Sequence, residues 1–366
     1  MREYYRREID RIAEKVREIP DRRFAFVFAA DMHADYAQEW DGVMRQCEAM
    51  AELANRIQAD CLILGGDLLH GTSSREDCLD YLRAYAAVLG RADMPALAVR
   101  GNHDDNAYHN DPWIPPYDPA RVPWRYIVGG DDWCGLLVES LARGRAVHDP
   151  ENAQSTYYYM DFPEKKTRVI VTDAYAYPME TRGEYALWTA ESWDRFSDRQ
   201  LMWFARHALD TSRDGWMYIL ASHGPLTDGF VIGPCRNAGD MLDMIRAFNA
   251  REKYVHPILG IEADYTHAAS VLPLHVFGHT HRDGYAYAEQ ARLAMLNIGN
   301  CKVGEYDCSG ATVPYCVSPR RERDGIGEAL FDVMIYTDGG TLHRIRFGAG
   351  ADQFVRIGNA GTSADS

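Results

Sequence analysis

The sequence has no hydrophobic run long enough to cross a membrane, no C-x-x-C pair and no internal repeat. A membrane-spanning helix needs about 18 consecutive apolar residues, and no apolar run approaches that length. The N-terminal segment is rich in charge and lacks the apolar core of a secretion signal. The eight cysteines have spacings that fit neither a disulfide framework nor a common structural zinc site. We therefore expect a cytoplasmic protein with reduced thiols.

Positive charge is also scarce. Lys and Arg together number 39 against 54 Asp and Glu, which gives a formal net charge of −15. Such a field repels polyanions and disfavours non-specific binding to duplex DNA. Hydrophobic residues at 46% and charged residues at 25% are ordinary values for a globular protein, and 366 residues are enough to bury a sizeable core.

Five short apolar runs end at side chains that bind metal ions or move protons. They are 24–30 before Asp31-Met32-His33, 61–64 before Gly65-Gly66-Asp67, 96–99 before Arg100-Gly101-Asn102-His103-Asp104, 218–221 before Ser222-His223, and 274–277 before Gly278-His279-Thr280-His281. Short apolar runs of this kind are typical of buried strands. Because α/β proteins place their sites in loops at the carboxyl ends of strands, we expect the five ends to form one site.

Helical patterns separate these strands. Apolar residues recur at helical spacing over 40–58 and 75–89, between the first three runs. Successive β-α-β units predict an α/β protein with a parallel or mixed sheet. Thr337-Asp338-Gly339-Gly340 lies between two apolar segments and predicts a β-hairpin.

The expected domain organisation has three parts. Residues 1–22 form an N-terminal helix, 23–348 form one domain, and 349–366 form a frayed tail of small and polar residues. An insertion rich in proline and aromatic residues covers about 107–134. It is either a lid over the site or a surface wrap.

Aspartate and histidine in a mixed oxygen and nitrogen set suit manganese, iron or zinc. The ordered combination D-x-H, G-D, G-N-H-D, an isolated strand-end histidine and G-H-x-H resembles the calcineurin-like metallophosphoesterases, from Phe24 to about Asn300. The resemblance implies a four-layer sandwich of two mixed β-sheets flanked by helices. It also implies two divalent metal ions. One would be held by Asp31, His33 and His281, the other by Asn102, His223 and His279, with Asp67 bridging them.

The mechanism that the resemblance implies is attack by a metal-bridged hydroxide, with His103 assisting the leaving group. Two departures from the family pattern stand out. His70 takes the place of an aspartate that orients the G-N-H histidine in many members, so either Asp104 or another carboxylate orients His103, or His103 acts with less support. Gly224 takes the place of a second histidine. Arg100 and His109 flank the G-N-H-D turn and are weaker candidates for substrate contact.

The leading hypothesis is a phosphoesterase that hydrolyses phosphomonoesters or small phosphodiesters. A nuclease of the same superfamily is the alternative, which the acidic composition disfavours because nucleic acid would be repelled. A catalytically inactive scaffold with the same fold is the alternative of a different class. It should have lost ligands, whereas all seven proposed ligands and His103 are present. The expected partner is a small phosphorylated substrate, with no membrane and no nucleic acid.

Overall fold

The structure is a computed structural model that describes residues 1–35, 40–110, 121–303, 316–317 and 319–357. Its α-helices are α1 (Glu3–Glu18), α2 (Trp40–Ile57), α3 (Arg75–Leu89), α4 (Gly130–Trp133), α5 (Glu139–Ala142), α6 (Ala190–Trp193), α7 (Asp198–Trp203) and α8 (Ala238–Ala250). Turns of π-helix cover Cys134–Val138 and Phe204–Ala208. Within these residues no helix is both long and apolar enough to span a membrane.

The strands are β1 (Arg22–Ala29), β2 (Cys61–Leu64), β3 (Ala96–Ala98), β4 (Val147–His148), β5 (Tyr158–Phe162), β6 (Thr167–Val171), β7 (Thr181–Arg182), β8 (Tyr185–Ala186), β9 (Asp214–Ala221), β10 (Lys253–His256), β11 (Ile261–Asp264), β12 (Ala269–Phe277), β13 (Asp283–Ala288), β14 (Leu293–Asn297), β15 (Cys316–Val317), β16 (Leu330–Thr337), β17 (Thr341–Gly348) and β18 (Gln353–Arg356).

Two large mixed sheets form the centre of the molecule. In the described residues the first sheet has the order β18-β17-β16-β1-β2-β3, and the second has the order β15-β13-β14-β12-β9-β6-β5-β4. Strands β1, β2 and β3 pair in parallel, as the β-α-β reading predicts. Helices pack on the outer faces of both sheets, which confirms the expected α/β four-layer architecture.

The second sheet separates two hydrophobic clusters. Along β9, Met217, Ile219 and Ala221 face the first sheet, whereas Tyr218 and Leu220 lie in the cluster that contains α7 and α8. This alternation follows from the pleat of a strand, which directs successive side chains to opposite faces. The sheet is therefore buried on both sides, and its polar loops are left at the ends of the strands.

The expected tail from residue 349 is wrong for its first part, because β18 pairs antiparallel with β17. Asp352 precedes this strand; it accepts a hydrogen bond from the Arg346 amide at 2.8 Å and forms ion pairs with Arg11 and Lys15 of α1. These contacts fix a segment whose small polar composition predicts disorder. Residues 358–366 lie outside the described residues.

The described part of the insertion packs against the body of the domain. Val122 and Ile127 are buried in a small cluster with Ala107 and Ala186, and Trp133 is buried in the main core. This part is therefore a structural element of the domain. The choice between lid and wrap concerns residues 111–120, which lie outside the described residues.

Candidate metal centre

The five strand ends of the sequence pattern meet between the two sheets. The loops after β1, β2 and β3 carry Asp31, His33, Asp67 and the segment Asn102–Asp104, and the loops after β9 and β12 carry His223, His279 and His281. Asp31, His33, Asp67 and His223 are buried, and His281 keeps 41% of its side chain exposed. The site therefore has a buried floor and an open side.

Five of these side chains stand on left-handed backbone. The φ angle is 57° at Asp31, 43° at His33, 52° at Asp67, 68° at His279 and 56° at His281. Non-glycine residues rarely adopt positive φ, at a cost of about 1 kcal/mol or more each, and such residues cluster at functional sites. This unfavourable backbone conformation occurs where the loops turn the side chains toward one another.

Two glycines permit the close approach of these loops. A Cβ atom on Gly101 would lie 2.1 Å from Oδ1 of Asp67, and one on Gly278 would lie 2.4 Å from Oδ2 of Asp31. Neither carboxylate could occupy its place beside an alanine. The glycines of the G-N-H-D and G-H-x-H motifs are thus required by packing as well as by the turn.

The first group of side chains consists of Asp31, His33, Asp67 and His281. Nε2 of His33 lies 3.1 Å from Nε2 of His281, and Nε2 of His281 lies 3.4 Å from Oδ1 of Asp31. Asp31 also accepts the backbone N–H of His279 at 2.9 Å, which fixes its carboxylate. These atoms are close enough to share one cation.

The second group consists of Asp67, His223 and His279, and Asn102 adjoins it. Nε2 of His223 lies 3.2 Å from Oδ2 of Asp67, 3.2 Å from Nδ1 of His279 and 3.1 Å from Oδ1 of Asn102. The same Oδ2 of Asp67 lies 3.8 Å from Nε2 of His33. Asp67 therefore belongs to both groups and stands between them.

A metal ion fits this donor set better than hydrogen bonding does. Nδ1 of His223 faces the carbonyl oxygen of Gly65 at 2.8 Å and donates its proton there, so Nε2 is the nitrogen that would bind a metal ion once its own proton is displaced. Nε2 faces oxygens of Asp67 and Asn102, which are acceptors. A cation at this point would take the place of that proton and would be bound by all three side chains.

The charges of the site favour neutral His33 and His279, and a protonated His223 beside the Asp67 carboxylate. Burial, followed by the charge of His103, holds the pKa of His33 well below its usual range. Burial lowers the pKa of His279 to about 3. Burial also opposes charge on His223, but the Asp67 carboxylate outweighs it and raises the pKa to about 10. His33 and His279 are therefore neutral at ordinary pH and can act as ligands.

His103 lies beside Asp67 at the half-buried side of the site. Its backbone N–H donates to Oδ1 of Asp67 at 2.9 Å, and its Nδ1 donates to the carbonyl oxygen of His70 at 2.7 Å. The ring stacks on Tyr108 with the centroids 4.3 Å apart and lies near-parallel to His70 at 5.2 Å. A backbone carbonyl therefore orients this histidine in place of the carboxylate usual in the family pattern.

Asp104 does not fill that role, which corrects the sequence interpretation. Its carboxylate is buried and accepts the backbone N–H groups of Asp67, Leu69 and Gly101 at 2.9, 3.0 and 2.7 Å. Burial, followed by the charge of Asp67, raises the pKa of Asp104 to about 7. Asp104 thus ties two loops of the site together and acts as a structural residue.

Arg100 also differs from its sequence interpretation as a substrate contact. The side chain is 1% exposed, and its guanidinium donates to the carbonyl oxygens of Tyr175 at 3.2 Å and Val128 at 2.7 Å. A buried arginine bound to main-chain carbonyls does not reach a substrate in the open side of the site. The side chain of His109 lies outside the described residues.

Two residues of the site carry no motif of their own. Tyr108 approaches Asn102, whose Nδ2 donates to the tyrosine hydroxyl at 3.4 Å, and it stacks on His103. Nδ1 of His70 lies 3.3 Å from Nδ1 of His33. His70 is detectable in the sequence as a departure from the family pattern. For Tyr108 the only signal is its position at the start of the aromatic insertion.

Two adjoining groups of His and Asp side chains that could each hold a metal ion lie on a four-layer scaffold, and comparison with known proteins agrees with a metal-dependent hydrolase. Residues 24–283 match the calcineurin-like phosphoesterase family. The chain belongs to this family, and it is a metallophosphoesterase, a hydrolase of phosphoric esters. The family depends on two metal ions, and the described His and Asp side chains could hold them. No curated protein sequence matches the chain.

Solved structures are similar to this chain at low sequence identity. A dimetal phosphatase from Danio rerio is similar with a TM-score of 0.59 at 15% identity, over 92% of this chain and all 100% of the other. The anchor protein GAP50 of the Plasmodium inner membrane complex gives 0.45 at 11% identity, over 92% and 85%. A purple acid phosphatase from yellow lupin gives 0.44 at 11% identity, over 93% and 52%. The first of these similarities shows a common fold.

Proposed function

We propose that the protein hydrolyses phosphomonoesters or small phosphodiesters with two divalent cations as cofactors. The observation that carries the proposal is the surrounding of Nε2 of His223, which has oxygens of Asp67 and Asn102 and a nitrogen of His279 within 3.2 Å. This is a preformed ligand set with one shared carboxylate. It supports a binuclear centre, since Asp67 also approaches His33.

The ligands divide into two groups. Asp31, His33 and His281 would hold one cation, Asn102, His223 and His279 would hold the other, and Asp67 would bridge them. The mixture of imidazole nitrogens with carboxylate and amide oxygens suits manganese, iron or zinc. When bound, the two cations supply Lewis-acid stabilisation of phosphoryl oxygens and lower the pKa of water.

His103 would serve the leaving group. Its Nδ1 proton is committed to the carbonyl oxygen of His70, so the proton that it can transfer is held at Nε2. Stacking between Tyr108 and His70 keeps the ring in one plane beside Asp67. In its protonated form His103 donates that proton to the departing alkoxide, or stabilises its developing charge.

The charge of the protein argues for small substrates. A net charge of −15 repels extended polyanions, so a nuclease activity and a nucleic acid partner are disfavoured. Salt-sensitive binding of single-stranded DNA at low micromolar protein would reverse this ranking. An inactive scaffold is disfavoured because the described ligand side chains converge within hydrogen-bonding distances, which a scaffold has no need to maintain.

The test is to measure hydrolysis of p-nitrophenyl phosphate and of bis-p-nitrophenyl phosphate with protein stripped of metal and then resupplied with manganese, iron or zinc. The proposal predicts turnover of at least one substrate that depends on added metal. The faster substrate assigns the preference for monoesters or diesters. Unchanged hydrolysis in stripped protein contradicts the proposal, as does a failure to bind any of the three metals.

The cysteines support the cytoplasmic location that the sequence predicts. Cys47, Cys61, Cys78, Cys134 and Cys301 are buried free thiols, and Cys235 is a half-buried one. Free buried thiols are typical of a reducing compartment. Cell fractionation that recovers the protein outside the soluble cytoplasmic fraction would overturn this part of the proposal.

A further inference from the structure

A side cavity of about 200 Å³ opens beside the candidate metal centre. Asn102 and His279, which lie around His223, form part of its wall. Gly224 lies in the same wall beside His279 and adds no side chain there; a Cβ atom on it would lie 3.8 Å from Cδ2 of His279. A phosphoester bound at the centre therefore has room to extend its organic part into this cavity.

The side cavity combines aromatic rings with carboxylates. Tyr108, Tyr175 and Phe196 contribute rings to its wall, and Glu191 and Asp194 contribute acidic side chains. Among the described residues that line it there is no lysine and no arginine. Phosphate-binding pockets ordinarily contain cationic side chains, so this lining is suited to a different part of the substrate.

Asp194 is held in this wall by the end of α6. It adopts left-handed backbone with φ 35°, and its N–H donates to the carbonyl oxygen of Ala190 at 3.0 Å. Burial raises the pKa of Asp194, although the charge of Arg236 opposes this. The Arg236 guanidinium itself donates to the carbonyl oxygens of Ser192 and Trp193. A cation placed in the cavity would offset the desolvation of this carboxylate.

We propose that the side cavity binds a protonated amine or a quaternary ammonium group carried by the organic part of the phosphoester. Cations are attracted to the faces of aromatic rings and to carboxylates, most strongly where water is excluded. A substrate with one phosphodiester and one ammonium group has no net charge, so the net charge of −15 does not repel it. This inference rests on the proposed phosphoesterase function and narrows its substrate class.

The test uses two p-nitrophenyl phosphodiesters of equal shape. One carries a choline group, and in the other a tert-butyl group replaces the trimethylammonium group. With manganese-loaded protein, the choline ester should have a kcat/KM roughly tenfold higher or more, which corresponds to about 1.4 kcal/mol of cation binding. Tetramethylammonium should also inhibit its hydrolysis competitively, whereas tert-butanol at the same concentration should not.

Variants connect this preference to the cavity. Asp194→Asn and Glu191→Gln should each lower the ratio of the two kcat/KM values several-fold. Asp214→Asn is the matched control, because Asp214 is exposed at the opposite end of β9, and the ratio should stay at its wild-type value. Equal kcat/KM values for the two esters, or a ratio unchanged in both cavity variants, would overturn the inference.

The two proposals can fail separately. If bis-p-nitrophenyl phosphate is hydrolysed with manganese while the two esters react equally, the cavity assignment is wrong and the phosphoesterase function stands. If none of the three substrates reacts in metal-loaded protein and tetramethylammonium does not raise the melting temperature, both are overturned.

Discussion

At the scale of single residues, the site contains candidate metal ligands and other residues that hold those ligands in place. Asp67 and His223 are candidate metal ligands, whereas Asp104 and the carbonyl oxygen of His70 hold neighbouring groups in place. A structural residue can resemble a catalytic residue in sequence, as Asp104 does within G-N-H-D. The difference lies in what the side chain contacts, and it can be measured by comparing rate with stability.

His103→Ala should retain metal and lose rate. The variant removes the group that would protonate the leaving oxygen but none of the proposed ligands, so kcat should fall roughly 10²- to 10⁴-fold. Metal content by mass spectrometry and steady-state rates on a phosphodiester with an alkyl leaving group check this, because an alkoxide needs a proton to depart whereas p-nitrophenolate does not. His207→Ala, at an exposed position, is the control and should leave kcat unchanged. Loss of metal from His103→Ala would mean that His103 is a ligand.

Asp104→Ala should act on stability as well as on the site. It leaves the buried N–H groups of Asp67, Leu69 and Gly101 without their acceptor, each at about 1 kcal/mol or more. We therefore expect a loss of about 3 kcal/mol in the free energy of unfolding, measured with urea, together with weaker manganese binding. A normal unfolding free energy with a large fall in kcat would restore Asp104 as a catalytic residue.

At the scale of elements, a buried group of four charges joins the two sheets below the site. Asp283 at the start of β13 contacts Arg344 at 2.5 Å and Arg346 at 2.8 Å, and both arginines, on β17, contact Asp332 of β16 at 2.6 Å. All four side chains are almost fully buried. Since Asp283 follows His281 by two residues, this group holds the loop that carries two of the proposed ligands.

Arg344→Met should destabilise the protein strongly. It leaves two buried carboxylates with a single arginine, and breaking a buried ion-pair network in this way costs about 3–5 kcal/mol. Urea unfolding measures the effect. Arg7→Met is the matched control, because Arg7 is exposed and pairs with Glu3 on the surface of α1, so the change should stay within about 0.5 kcal/mol. A similarly small loss for Arg344→Met would refute the bridging role.

The elements also divide into those that the sequence predicts and those that it does not. The hairpin of β16 and β17 is confirmed around Thr337-Asp338-Gly339-Gly340, because the turn chemistry is local. Strand β18 was not predicted, because its stability comes from pairing with β17 and from contacts of Asp352 with α1. The burial of Arg344 and Arg346 is not visible in the sequence either, because it depends on ion pairs with Asp283 and Asp332, which lie on other strands.

At the scale of the whole molecule, the sequence pattern identifies the candidate ligands but not the groups that hold them in place. Each candidate ligand follows a strand by a few residues, so topology alone brings them to one place. The carbonyl oxygen of His70 that orients His103, the loop anchor Asp104 and the side cavity depend on loops folding over one another. No local periodicity encodes those contacts, and a motif that includes Asp104 does not show what its side chain contacts.

Metal should stabilise the whole fold, since the ligands come from both sheets. A cation that binds only the native state at 100 times its Kd adds about 2.7 kcal/mol, or about 3 °C in Tm for a chain of this size. Thermal unfolding with manganese and with EDTA checks this. The shift should be largely absent in Asp67→Asn. An equal shift in that variant would mean that manganese binds elsewhere.

The most direct test of the bridging position of Asp67 is to count the manganese ions that bind to each chain of Asp67→Asn. Wild-type protein stripped and titrated with manganese should bind two ions per chain and gain activity as the second one binds. Asp67→Asn should bind fewer than two ions at the same concentration and lose turnover of both nitrophenyl substrates. Two tightly bound ions with near-normal turnover in Asp67→Asn would contradict the bridging role of Asp67.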